Sequence, residues 1–280
     1  MIRGLWRIIR RDRQAMAGFC IIMFFLGMAI VGSLLPPDYY ENPLQQYQGI
    51  SWHHLLGTDY IGRDTLREII AGSTPVLIVA VLASSISTFV GLAIGLSSGL
   101  VGGFIDALIM RITDIVLTIP GLPLTIVIVS FIHSTNPVVL ALILSVTGWA
   151  GFARSVRSQA LSIARREYLE AAKVQGLTFV NILTKQLFPN IGSYAAMSFL
   201  LGITGAIYAE VGLFLLGVAP FSGSNWGVML NLGMANGAML TPSSAPYMFA
   251  PMFCIVLLQV GFVLFTRALE PMFNPRLRTS

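Results

Sequence analysis

The chain is 280 residues long, 55% hydrophobic and only 10% charged, with a net charge of +5. An ordinary soluble domain carries about 25% charged residues, so this chain cannot cover a water-facing surface, and its length suits one membrane domain. The positive balance does not require nucleic acid as a partner, because the basic residues follow a membrane topology.

A basic start, MIRGLWRIIRRDR, precedes an apolar run at 15–35. That run exceeds the roughly 7–15 residues of a signal-peptide core and is not closed by an Ala-x-Ala-like site, so an uncleaved first span is expected. The segment 36–73 is a long outer loop with Trp52, His53, His54 and several acids. Adjacent histidines point to different sides of a helix or strand, so joint ligation is disfavoured and no metal is expected. Asp59, Arg63 and Asp64 stand just ahead of the second span. They fit local capping and ion pairing at an interfacial turn, or else contact with an extracytoplasmic protein or gating at the outer mouth.

The second span is expected at 75–100 and the third at 112–132. Arg111 and Asp114 lie three apart at the inner end of the third span, a spacing that allows a structural ion pair. Pro120 and Pro123 should kink this span, and kinks can line a cavity. The fourth run, 138–153, is short for a span and is expected to stand with little tilt or to extend into its flanks.

A polar loop at 154–190 follows. Residues 167–175 are good helix formers, and Gly176 is a natural helix stop. Leu177, Phe179, Ile182 and Leu183 supply an apolar set at roughly helical spacing, and Pro189 stands where the fifth span should begin. The pattern fits a helix lying on the membrane face and, equally, a docking helix for a cytoplasmic partner. The fifth span, 191–218, contains Glu210 among several glycines. A charge at the centre of a span costs on the order of 3 kcal/mol, so Glu210 must face protein or water. It is either a hydrogen-bonding anchor or a pathway or gate residue. An outer loop at 219–246, without Lys or Arg, leads to the sixth span at 247–265. Cys20 and Cys254 both lie inside spans without metal-type spacing and read as packing residues.

Lys and Arg set the orientation. Five precede the first span, one stands just before Ile112, six lie in the 154–190 loop and three follow the sixth span, against only Arg63 and Arg67 on the other side. Six spans therefore place both termini in the cytoplasm of a multi-pass cell-membrane protein.

Several segments together resemble a known family. "EAAKVQG", followed by "FPN", resembles the EAA loop of ABC-importer permeases: Glu-Ala-Ala, three residues, Gly, nine residues, then Ile-x-Leu-Pro. Glu170, Ala171, Ala172, Gly176 and Pro189 fall on it, while Gln186 and Phe188 replace the Ile and Leu. "LGTDYIGRDTL", "GGFIDALIMRITDIVLTIP", "AEVGLFLLGV" with "SNWGVML", and "PMFNPRLR" resemble successive segments of the dipeptide, oligopeptide and nickel branch, closest to its second, C-type permease. In the last of these Asn274 replaces an acid.

The resemblance implies an all-α, six-span fold of the type I importer kind. Residues 1–73 would hold the basic N-terminus, first span and outer segment, and residues 74–280 the permease core. It implies import of peptides, or of nickel or oligosaccharide in the same role. The loop would be a coupling helix seated on one of two cytoplasmic ATPase subunits, which bind ATP and Mg on separate chains. A second permease, expected to be a related chain, and an extracytoplasmic solute-binding protein complete the implied assembly. The chain has no Gly-x-x-x-x-Gly-Lys-Ser/Thr sequence of its own, so it is not an enzyme by itself. An intramembrane enzyme has no His-Glu-x-x-His or comparable constellation here. An ion-coupled secondary transporter using Glu210 would leave the EAA loop without a purpose.

Overall fold

A computed structural model describes residues 12–35, 43–164, 176–220 and 223–273, with side chains as far as 269. Among these residues the regular structure is helical, apart from one isolated bridge between Thr58 and Asp64. Helix α1 (Arg13–Leu34) is capped by Asp12, whose side chain accepts from the Gln14 N–H. Its 22 residues reach roughly 33 Å at 1.5 Å per residue, enough to cross a bilayer core.

Helix α2 (Thr65–Val101) begins ten residues before the expected 75–100 span, with Pro75 inside it. Asp64 is the reason: it caps the helix by accepting from the Arg67 N–H at 2.9 Å, so the polar turn containing Arg67 and Glu68 is already helical. The helix ends at Gly102, with φ at +65°. Gly91, Gly95 and Gly99 form one face against α5 (Pro137–Ala164), where a Cβ on Gly95 would stand 2.5 Å from the Ala153 carbonyl oxygen. Such a row of small residues lets two backbones approach closely in lipid, where packing drives association.

The expected third span is two helices, α3 (Gly103–Thr118) and α4 (Gly121–Ile132), bent by 83°. Pro120 forces the preceding Ile119 into an extended conformation, ψ 122°, and the helix stops there. Asp106, Met110 and Thr113 make the buried face of α3, while Phe104, Leu108, Ile112 and Ile115 are exposed. At 12 residues, about 18 Å long, α4 is too short to cross alone. Helix α5 continues eleven residues past the expected end at 153.

Helix α6 (Phe179–Leu215) starts well before the expected 191. It contains a wide turn at Ile182–Leu187, where the Phe188 N–H bonds the Leu183 carbonyl. This slack sits directly before Pro189, which lacks a donor and crowds the turn below it. A short apolar helix, α7 (Trp226–Ala235), precedes the last helix, α8 (Ala245–Phe273). Five helices, α1, α2, α5, α6 and α8, are long and apolar enough to span, and the bent α3–α4 pair makes six if it counts as one.

The main core gathers α2, α5, α6, α7 and α8. Trp226 is fully buried at its centre and donates its indole N–H to the Ile69 carbonyl at 2.9 Å. Phe25 of α1 meets the Trp226 ring edge-on at 5.7 Å, a geometry worth about 0.5–1.5 kcal/mol beyond its buried area. Polar ties cross the spans: Thr74 to the Ala29 carbonyl at 2.6 Å, Ser84 to the Phe199 carbonyl at 2.7 Å and Gln259 to the Thr204 carbonyl at 3.1 Å. Of the cysteines, Cys20 is exposed on α1 and Cys254 is half-buried on α8.

Candidate functional site

At the head of α2 the chain folds back on itself through Asp59, whose side chain is fully buried. Its Oδ1 accepts from the backbone N–H groups of Ile61 and Arg63 at 2.9 and 2.7 Å, and its Oδ2 accepts from Arg63 Nε at 2.9 Å. Arg63 also reaches Glu68 at 2.9 Å. Burial opposes the Arg63 charge, but Glu68 and Asp59 outweigh it and hold the guanidinium above its ordinary range. Asp64 caps α2 and pairs with His54 Nδ1 at 2.9 Å. The local capping and ion pairing read from Asp59, Arg63 and Asp64 is therefore present. Glu68 and His54 complete it; the sequence does not single out either, because Glu68 falls in the 36–73 loop segment and His54 pairs with an acid ten residues away.

Glu210 lies five residues before the end of α6, in an unbroken helix. It is fully buried, and its Oε1 accepts from Asn225 Nδ2 at 2.8 Å. Asn225 in turn caps α7 by accepting from the Gly227 N–H at 2.8 Å. The second oxygen, Oε2, is buried without a protein donor, and Glu210 borders a cleft of about 50 Å³ that Val129, Ile132, Ser134, Thr135, Ser224 and Asn225 also line. That volume holds a few waters. Glu210 thus anchors α7 through one oxygen, and its residue borders the cleft. Val129 and Ile132 belong to α4, so the helix that follows the Pro120 break does line a cavity.

A larger groove of about 280 Å³ runs between α2, α5 and α6, lined by Ser84, Ser87, Thr147, Gly148, Gly202 and Gly205 among others. Its small and hydroxyl-bearing walls differ from the apolar surface elsewhere on these helices. No single stretch of sequence marks it, because its residues come from three spans.

At the opposite end, a second apolar cluster of Leu96, Val156, Ala160, Ile163, Ile182, Leu187 and Ile191 binds the ends of α2, α5 and α6 together. It clamps the two stems of the 154–190 loop. Glu170, Ala171 and Ala172 lie outside the described residues. Gly176 has φ +73°, with nothing near where a side chain would start. Pro189 follows the wide turn of α6. The expected Arg111–Asp114 pair does not form: Asp114 pairs with Arg154 of α5, and Arg111 is exposed. The reason is that α3 folds against α5, so its acids meet arginines there before any neighbour on their own helix. Asp106 likewise takes a bidentate Arg157 and the Ser98 hydroxyl.

Residues 91–279 match the family of binding-protein-dependent transport system inner membrane components, and residues 1–54 match the N-terminal TM domain of oligopeptide transport permease C. The chain is 33% identical to the dipeptide transport system permease protein DppC of Bacillus subtilis (strain 168) over 98% of its length and 85% of the relative. It is 32% identical to the metal-staphylopine import system permease protein CntC of Staphylococcus aureus (strain Mu50 / ATCC 700699), over 93% of this chain and 89% of that one. It is 29% identical to the glutathione transport system permease protein GsiD of Escherichia coli O6:K15:H31 (strain 536 / UPEC), over 98% and 90%. Helical architecture, five apolar spans with a sixth bent one, and a match across two thirds of its length agree: the chain belongs to the inner-membrane permease components of binding-protein-dependent ABC importers, and is a transport subunit, not an enzyme by itself.

Proposed function

We propose that this permease forms half of the pathway by which an ATP-driven importer takes up short peptides. The identity with a dipeptide permease over 98% of the chain carries the substrate class. The groove of small and hydroxyl-bearing residues between α2, α5 and α6 suits an extended chain of varied side chains, since it offers polar groups without a shaped pocket. A related permease supplies the facing half, and a solute-binding protein delivers substrate from outside. Both termini and the 154–190 loop lie in the cytoplasm, following the distribution of Lys and Arg.

Glu170, Ala171, Ala172 and Gly176 belong to the coupling segment that docks on an ATPase subunit, and Pro189 marks the return into the membrane. ATP and Mg are held by those partner chains, since this one has no phosphate-cradling sequence. Closure of the ATPase pair moves the loop, and the clamped stems carry the movement into α5 and α6. In cells lacking this chain, uptake of a labelled dipeptide should fail while nickel and oligosaccharide uptake continue. Lost nickel uptake with dipeptide uptake intact would overturn the peptide assignment.

A further inference from the structure

Helix α3 is set off from its neighbours in the chain by a break at each end, touches α2 through the Ser98 hydroxyl on Asp106, and is fastened to α5. At its start, Gly102 and Gly103 both have positive φ, +65° and +62°, with open space where side chains would stand. At its end, the chain breaks at Ile119–Pro120 and turns by 83° into α4. Between these two hinges, α3 is bound to α5 by two ion pairs: Asp106 with Arg157 and Asp114 with Arg154. The acids are eight residues apart, roughly 12 Å along α3. A single fastening would act as a pivot, whereas two fastenings at that separation make α3 follow both translation and rotation of α5. Arg157 is seven residues before Ala164, roughly 10 Å from the point where the cytoplasmic loop begins. At the far end of the connection, Val129 and Ile132 of α4 line the cleft that Glu210 borders.

We infer that α3 is a lever that carries movement of the inner end of α5 to α4 and so to the outer cleft, with Asp106, Asp114, Arg154 and Arg157 as its positioning residues. The direction of transmission rests on the coupling role proposed above for the loop, while the mechanical link between α5 and α4 does not. The link runs through rigid helices and two discrete ion pairs, a contiguous physical route between the two membrane faces.

The pair Asp114–Arg154 is more than half exposed on both sides, so its loss does not threaten folding, and it is the better site for a test. The experiment uses the purified full complex in nanodiscs, with Cys20 and Cys254 replaced by serine. Ile132→Cys, at the end of α4, reports on the cleft through its rate of maleimide modification. Asp114→Asn and Arg154→Gln should each change that rate by roughly 2- to 30-fold at unaltered assembly yield, and the exchange Asp114→Arg with Arg154→Asp should restore it. Transport per ATP hydrolysed should fall and recover in the same order. An unchanged modification rate in both single variants, or no recovery in the exchanged pair, overturns the lever. The modification rate needs no ATPase activity. A complex in which ATPase subunits fail to bind would therefore refute the coupling role of the loop while the link itself is still measured.

Discussion

Glu210 separates a structural anchor from a functional acid, because its two oxygens do different things. In Glu210→Ala the Asn225 amide loses its acceptor at 2.8 Å, leaving a buried donor unpaired at a cost of roughly 1–3 kcal/mol. Asn225 also caps α7 through Gly227, and a loosened cap adds about 1 kcal/mol. The sum, roughly 2–4 kcal/mol, should appear as a lower thermal midpoint and reduced yield of assembled complex in detergent. Glu210→Gln keeps an oxygen for Asn225 and puts an amide nitrogen in the place of Oε2, which had no protein donor. That variant should assemble as well as the parent. Any fall in transport would then belong to the lost carboxyl group and not to a lost fold. Thermal midpoints of Glu210→Ala and the parent that coincide would refute the anchoring of α7.

The outer turn should be equally sensitive to charge. Asp59→Asn turns an amide N–H₂ toward Arg63, and should lower stability by about 1–3 kcal/mol; Arg63 is about one fifth exposed and keeps Glu68, so the loss stays below that of a fully buried pair. Unfolding at the parental temperature would remove the network from the description of this turn. A side chain at Gly18 would put its Cβ 2.6 Å from the Phe265 nitrogen and 2.7 Å from the Gly261 carbonyl oxygen. Gly18→Leu should therefore lift α1 from α8 and expose it to protease, while Gly27→Leu, with open space around it, should not. Equal cleavage of the two would contradict the α1–α8 contact. In cells, Leu44→Cys and Leu240→Cys, both strongly exposed, should react with an impermeant maleimide from outside, and Lys173→Cys only after lysis. Reaction of Lys173→Cys in intact cells would reverse the orientation.

Composition and apolar runs were enough to give the helical membrane class and the approximate place of every span, because lipid exposure leaves long stretches without charge. Boundaries were less legible. Asp64 begins α2 ten residues early, because its cap draws a polar turn into the helix. The 83° break at Pro120 was visible as a proline but not in its size, since the bend depends on α3 folding back along α5. Spacing along one helix led to an Arg111–Asp114 pair, yet Asp114 found Arg154, forty residues away in sequence. Glu210 was legible as a residue needing a partner, whereas Asn225 was not legible as that partner, because the contact forms only when α7 packs over α6. The groove between α2, α5 and α6 is the extreme case: its residues are unremarkable until three helices bring them together.

Coupling of this permease to separate ATPase chains through the 154–190 loop is tested most directly by ATP-dependent uptake of a labelled dipeptide into proteoliposomes containing the whole complex. Gly176 holds φ +73°, a conformation that a β-branched residue resists, so Gly176→Val distorts the turn without touching the span core. The parent complex should take up dipeptide only with ATP and its ATPase subunits, and the Gly176→Val complex should assemble, hydrolyse ATP and take up little. Uptake by this chain without ATPase subunits, or undiminished ATP-driven uptake by the Gly176→Val complex, would contradict coupling through the loop.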